Sequence, residues 1–470
     1  MALNCMPIWT LKQRIFLFLI IGLLLVLSSH YASKVPSSLL TLSSPTIITQ
    51  PAHQISLQTI DLSSPSSPFI AWPLARVCAE ATFVPGLVFI CDNNSGGPGN
   101  IRNYILTCLR YAIEAGSTSL VLPRIRSRSV TDLSNIHVGY QGFGYMFDAA
   151  HFRRGLASGC PQIDVYGRVE DVPHVLEKVE REGLYDVEKM IERITPRQDY
   201  GNRVGCDQRD LNRHTDRFGA RFRDWLNSSV LERGMPEISV QSPRLIRLNW
   251  GVLFDWEVLR DGPEFVATFG GLLRFNDELL QLGQAVTRAL RTEASFVEGS
   301  QSGQEKNRFL GVHLRTEADA LKQWPSFEVQ VAGYVKESQR LGFQGGIAYL
   351  ASGSEAEAIK FKDFAQSEMQ LQVRTKHDLL EVRDLEKLQK LSWDQQAVVD
   401  FQVLLAANYF VGVSPSSFSV NVALKRHLHT TNLRTRPWKV GGKGDGQSWL
   451  VGTYDNYWDD WLFMYDGMWP

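Results

Sequence analysis

The sequence predicts an α/β protein built from two Rossmann-sized units. Three observations carry this. At 470 residues, with 44% hydrophobic and 21% charged positions, the chain is too long for one small domain and has an ordinary globular composition. Apolar runs of strand length recur at Gly86 to Ile90, Phe309 to Leu314, Ile347 to Ala351 and Tyr409 to Val413. Segments of helical period lie between them, and strands alternating with helices argue for parallel sheets. A net charge of -1 gives no reason to expect a nucleic-acid partner. There is no internal repeat and no Cys/His pattern with zinc spacing.

From the N-terminus, Lys12 and Arg14 precede the uncharged apolar run Ile15 to Leu27. Basic residues before such a run mark a secretory signal or signal anchor. Ser28, Ser29 and Tyr31 extend it, and no small-residue cleavage site follows. The reading is a cytosolic tail over 1–14 and a retained single-pass type II anchor over 15–31, with the remainder luminal. Residues 32–70 are rich in Ser, Thr and Pro and read as a stem. Five cysteines, Cys78, Cys91, Cys108, Cys160 and Cys206, would meet oxidising conditions. Cys108 falls on the inner face of a helix and is expected to be a core thiol, while the pairing of the others stays open.

The first globular unit is expected over 71–300, with a charged, helical stretch from Glu170 to Arg223. The polar segment Glu293 to Asn307 reads as the link to a second unit over 301–433. In that unit Gln395 to Ala407 and Ser416 to His427 have helical pattern. The tail 434–470 is dense in Trp and Tyr and is expected to pack rather than to serve as a carbohydrate platform. Asn93 and Asn227 begin glycosylation sequons, and Asn227 is the better acceptor.

Three segments carry chemistry. Cys91-Asp-Asn-Asn-Ser-Gly-Gly-Pro-Gly-Asn100 follows a strand and precedes a helix whose apolar stripe ends at Gly116. Gly97 and Gly99 let backbone approach a ligand, and the helix N-terminus offers N–H groups to an anion. The third glycine of a dinucleotide fingerprint is missing. Gly311-Val-His-Leu-Arg-Thr-Glu-Ala-Asp319 follows another strand, so His313 and Arg315 share a strand end, where open α/β sheets bind ligands. Arg315 is a fork of donors suited to phosphate. Asp400 lies on a helix before the strand Tyr409 to Val413, and Ser414-Pro-Ser416-Ser417-Phe418 opens the next helix as a phosphate seat. The loop Arg124, Arg126 and Arg128 reads as solvated.

In that order the three segments resemble the protein O-fucosyltransferases, on Gly-Pro-Gly-Asn100, on His313-x-Arg315-x-x-x-Asp319, and on Asp400 followed by Phe410-Val-Gly412 and Ser416-Ser417-Phe418. Leu120-Val-Leu-Pro123 is similar to that family's first-domain strand ending in Pro, and the likeness runs from about Gly86 to His427. The resemblance implies a GT-B architecture, two Rossmann-like domains with GDP-fucose in the cleft, and transfer with inversion to a protein or glycan acceptor. It implies that Arg315 meets the β-phosphate, with His313 beside it. Ser416, Ser417 and Phe418 would hold the phosphates and Asp400 would accept from guanine. Asn100 would touch fucose or the β-phosphate, and Asp319 would orient neighbours. Asn100 stands where some members carry a glutamate base, so the base is Glu317, Asp92, a phosphate-linked water, or absent. With no Asp-x-Asp motif in a suitable loop, a metal-independent enzyme of the Golgi or endoplasmic reticulum is expected. Transfer of another GDP-sugar to cell-wall polysaccharide, or sugar binding without catalysis, are the alternatives.

Overall fold

The run VPGLVFI is short, apolar and β-branched at both valines, and five successive residues, Leu87 to Cys91, are fully enclosed, as in a strand of a sheet covered on both faces. This strand, β1 (Val84–Ile90), is central to a five-stranded sheet with β2 (Ser117–Val121), β5 (Asp164–Tyr166), β6 (Ile191–Ile194) and β7 (Arg244–Leu248), in the order β5-β2-β1-β7-β6. All neighbours are parallel. A short antiparallel hairpin, β3 (Ile125–Ser127) with β4 (Gly139–Gln141), follows β2.

A second all-parallel sheet contains β8 (Phe309–His313), β9 (Ile347–Ala351), β10 (Gln372–Arg374), β11 (Tyr409–Val413) and β12 (Ser448–Val451), in the order β10-β9-β8-β11-β12. The order reverses between β8 and β11, which opens a crevice at the strand C-termini.

The structure is a computed structural model and describes residues 57, 60–196, 215–296, 307–317, 324–430 and 436–470; both sheets lie in one compact unit, Ser56–Pro470. The expected anchor over 15–31 and most of the stem lie outside the described residues. Among the described residues no helix is long and apolar enough to cross a membrane.

Four helices position the site. α1 (Pro98–Ala115) starts with proline, whose fixed φ suits the first helical turn, and stops at Gly116, which takes the left-handed conformation at φ 80°. α2 (Asp277–Phe296) packs on α3 (Trp393–Leu405), where Leu279, Leu282 and Val286 join Val398 and Phe401 in the main core. Ser392 and Gln395 form a capping box that starts α3. α4 (Ser417–His427) follows β11.

The structure differs from the sequence reading in four places. Cys108 is not a free core thiol: it is bonded to Cys91, tying the end of β1 to the middle of α1, and Cys78 is bonded to Cys160. The charged stretch from Glu170 is not simply helical, because it supplies β6, an edge strand. There Ile191 and Ile194 are buried on opposite faces of the sheet, in separate core clusters, and Glu192 pairs with Arg244 at 2.6 Å, so the segment shows no apolar alternation to read. Leu62 and Ile70, read as stem, are buried beside Ala267. The aromatic tail packs as expected, burying Trp438, Tyr465 and Trp469, but it also supplies β12, a strand of the second sheet that the sequence reading did not contain.

Candidate functional site

The C-terminal ends of β1, β8, β9, β10 and β11 open onto a cleft of about 680 Å³. Gly97, Gly99, Asn100, His313, Arg315, Asp400, Ser416, Ser417 and Phe418 all line it, so the sequence segments set apart by more than three hundred residues meet in one place. Asp319 lies outside the described residues.

One wall is made by two helix starts. Glycine at 99 lets α1 approach α4 closely: a Cβ there would sit 3.0 Å from the Ser417 carbonyl oxygen. Both N-termini therefore present unpaired N–H groups to the same space. Ser416 is the first flanking residue of α4, but its side chain makes no capping bond. The hydroxyl is thus not consumed by the helix it precedes. In the cleft lining, the buried Asn100 Oδ1 and Trp324 Nε1 have no hydrogen-bond partner. Polar atoms enclosed without partners are costly unless a ligand or water meets them.

His313 is buried at the end of β8, with its ring 4.6 Å from that of Phe418. Its Nδ1 lies 2.6 Å from Ser419 Oγ, which also accepts from the Val413 N–H at 3.1 Å. A hydroxyl that donates to Nδ1 leaves the ring proton on Nε2. Burial, and then the charge of Arg315, push the imidazole down to about 3, so it is a neutral group at ordinary pH.

Arg315 is held by both its backbone and its side chain. Its N–H donates to Gln330 Oε1 at 3.0 Å, and Gln330 Nε2 donates to its carbonyl at 2.9 Å. Nη1 donates to Glu317 Oε2 at 2.5 Å, and the guanidinium lies 5.6 Å from the Trp324 ring centre. The other Glu317 oxygen accepts from the Gly353 N–H at 2.6 Å. The Arg315–Glu317 ion pair is enclosed in the cleft wall, with the Glu317 side chain 4% exposed.

Asp400 reaches the cleft from α3. Its Oδ1 accepts from Tyr349 Oη at 2.6 Å and its Oδ2 from Lys376 Nζ at 2.8 Å. Lys376 was not read from the sequence. It follows β10, a three-residue strand too short to show a period. Arg128 was misread: the hairpin β3–β4 folds it inward, and its Nε lies 3.3 Å from Asp394 with the guanidinium 4.7 Å from the Trp393 ring centre. Of the possible bases, Asp92 is not in the cleft wall. Arg247 Nε at 2.7 Å and Arg124 at 2.8 Å occupy its oxygens. Glu317 is in the wall. Asn93 is half-buried and Asn227 is exposed on the helix Thr215–Arg233. Among the described residues no three His, Cys, Asp or Glu side chains cluster as metal ligands.

A fixed guanidinium, two helix starts and a neutral imidazole donor together suit an anion of diphosphate size. No curated protein sequence matches the chain. Solved structures similar to it include POFUT1 in complex with GDP, at 16% identity and a TM-score of 0.44, covering 75% of this chain and 97% of that one. POFUT1 in complex with GDP-fucose matches at 15% identity and a TM-score of 0.43, with coverage of 75% and 97%. The fucosyltransferase NodZ from Bradyrhizobium matches at 14% identity and a TM-score of 0.36, with coverage of 71% and 90%. The family model described as GDP-fucose protein O-fucosyltransferase matches residues 87–429, which is most of the chain. The chain belongs to that family and is a glycosyltransferase.

Proposed function

We propose that this protein transfers fucose from GDP-fucose, with inversion, to a hydroxyl of a protein or glycan acceptor. The two sheets would act as the Rossmann-like halves of a GT-B enzyme, with the donor in the cleft between β1 and β8. The observation that carries this reading is the convergence of Arg315, His313 and the starts of α1 and α4 on one cleft.

Each residue has a role that follows from its chemistry. Leaving GDP gains negative charge as the sugar bond breaks, and Arg315 meets that charge from a position fixed by Glu317 and Gln330. His313 supplies a neutral N–H. Ser416, Ser417 and the α4 start receive phosphate oxygens, and Asn100 reaches the sugar side. Asp400 accepts from the guanine. With this set of donors the transfer proceeds without a bound cation, and activity should survive EDTA. Asp319 would steady the Arg315 loop.

The compartment is part of the same proposal. Disulfides Cys78–Cys160 and Cys91–Cys108 support an oxidising environment. With 15–31 as a type II anchor, the catalytic unit would face the lumen of the endoplasmic reticulum or Golgi.

The test is thermal unfolding of the luminal unit with nucleotides. GDP at a hundredfold excess over its Kd should add about 2.7 kcal/mol of stability, and UDP or ADP at the same concentration should add little. Equal shifts from all three would overturn the guanine reading.

A further inference from the structure

The pair Lys376 and Asp400 is an unusual thing to find in the wall of a binding cleft. Both side chains are 8% exposed, and their charged atoms are 2.8 Å apart. A buried ion pair contributes little net stability, because desolvation offsets most of the attraction. Fold stability alone therefore gives weak reason to keep it. Tyr349 Oη fixes the other carboxylate oxygen at 2.6 Å from behind, and Tyr349 is fully enclosed beneath the cleft. The carboxylate is thus clamped, and the ammonium sits next to it on the same lining surface.

A clamped acceptor beside a fixed donor is a pattern for reading a base edge. Guanine presents O6 as acceptor, then N1–H and N2–H as donors. Asp400 matches the two donors, and an ammonium beside it matches O6. Uracil and adenine do not fit this pattern: uracil has one ring donor flanked by two acceptors, and adenine has a donor where guanine has O6. We propose that Lys376 is a specificity-determining residue that donates to the six-position oxygen of the bound purine. The inference rests on the GDP-sugar reading given above and assigns Lys376 a contact of its own, beyond balancing the charge of Asp400.

The experiment measures affinity by calorimetry for GDP, for inosine diphosphate, which lacks the two-amino group, and for 6-thioguanosine diphosphate, whose sulfur is a poor acceptor. In the wild type both analogues should bind about tenfold weaker than GDP, the scale of one hydrogen bond to a charged group. In Lys376→Met the penalty for the thio analogue should vanish while the inosine penalty remains. If Lys376 only balances Asp400, the thio penalty persists in the variant, and the proposal fails. Because Lys376→Met leaves the Asp400 charge unpaired, it could fail to fold. Lys376→Arg retains the charge and moves the donor, so it should keep the melting temperature and still change the ratio of GDP to thio-GDP affinity. An unchanged ratio in Lys376→Arg also overturns the proposal. Failure of the parent reading looks different, since GDP would then bind no better than UDP in the wild type.

Discussion

At Arg315 charge and shape can be separated. Arg315→Ala removes both, and it also strips Glu317 of its ion-pair partner inside the wall. An enclosed carboxylate left unpaired is costly, on the order of 3 kcal/mol. The alanine variant should therefore lose both stability and turnover, and its inactivity alone would not identify a role in chemistry. Arg315→Lys retains a cation for Glu317 but lacks the planar fork. We expect Arg315→Lys to melt close to wild type and to turn over about a hundredfold more slowly, the scale for loss of one preorganised donor. GDP affinity should fall less than turnover, because on the proposed reading the α4 start would still hold the ground-state phosphates. Normal turnover in Arg315→Lys would remove the fork from the mechanism. Residue identities at this scale were largely legible. His313 and Arg315 stood out because they follow an apolar strand, at the end where open α/β sheets bind ligands, and Asp400 because of the family-like segment that follows it. Lys376 and Arg128 did not, since a single basic residue carries no pattern and its partner lies elsewhere in the chain.

The elements that matter most are the starts of α1 and α4. Their approach depends on glycine at 99, where a Cβ would meet the Ser417 carbonyl oxygen at 3.0 Å and the Phe418 nitrogen at 3.3 Å. Gly99→Val must push the helix starts apart. We expect a loss of about 1–3 kcal/mol from overpacking and at least tenfold weaker GDP binding as the two sets of N–H groups cease to share a ligand. Gly97→Ala adds a methyl into open space and should leave the melting temperature unchanged. Calorimetry and thermal unfolding on the two variants check both statements, and tight GDP binding by Gly99→Val would separate the helix contact from the site. Strands β8, β9 and β11 were readable because each is short, apolar and bounded by turn residues. Strand β6 was not, because its two isoleucines fall on opposite faces with Glu192 and Arg193 between them, so no apolar pattern marks it. Nor was the Cys91–Cys108 bond, since a half-cystine and a core thiol look alike on the inner face of a helix.

Over the whole molecule, the tail closes the structure. Trp469 stacks edge-on against Phe265 and Phe269 at 5.6 and 4.9 Å. Its carbonyl accepts from Arg102 of α1 at 2.9 Å and from Asn421 of α4 at 2.8 Å. Its indole N–H donates to Thr107 at 3.2 Å. One residue of the tail thus bonds to both helices whose starts form the site. Trp469→Ala should cost about 3–5 kcal/mol, the usual penalty for a buried tryptophan. It should also weaken GDP binding under conditions where the protein remains folded. Denaturant midpoints and GDP affinity check this, and a near-neutral midpoint would show that the tail is not integral.

Period, strand length and turn chemistry are local properties, so the α/β class, the strands β1, β8, β9 and β11 and the three segments that line the cleft were legible along the chain. Their order along the chain was sufficient to point to the family. That β6 and β12 complete the sheets, that Cys91 bonds Cys108, that Asp400 is shared with Lys376 and Tyr349, and that the tail joins α1 to α4 emerges only in the folded chain. Each of these is a pairing between distant positions, and pairing is fixed by burial and geometry in three dimensions, which a linear pattern does not encode.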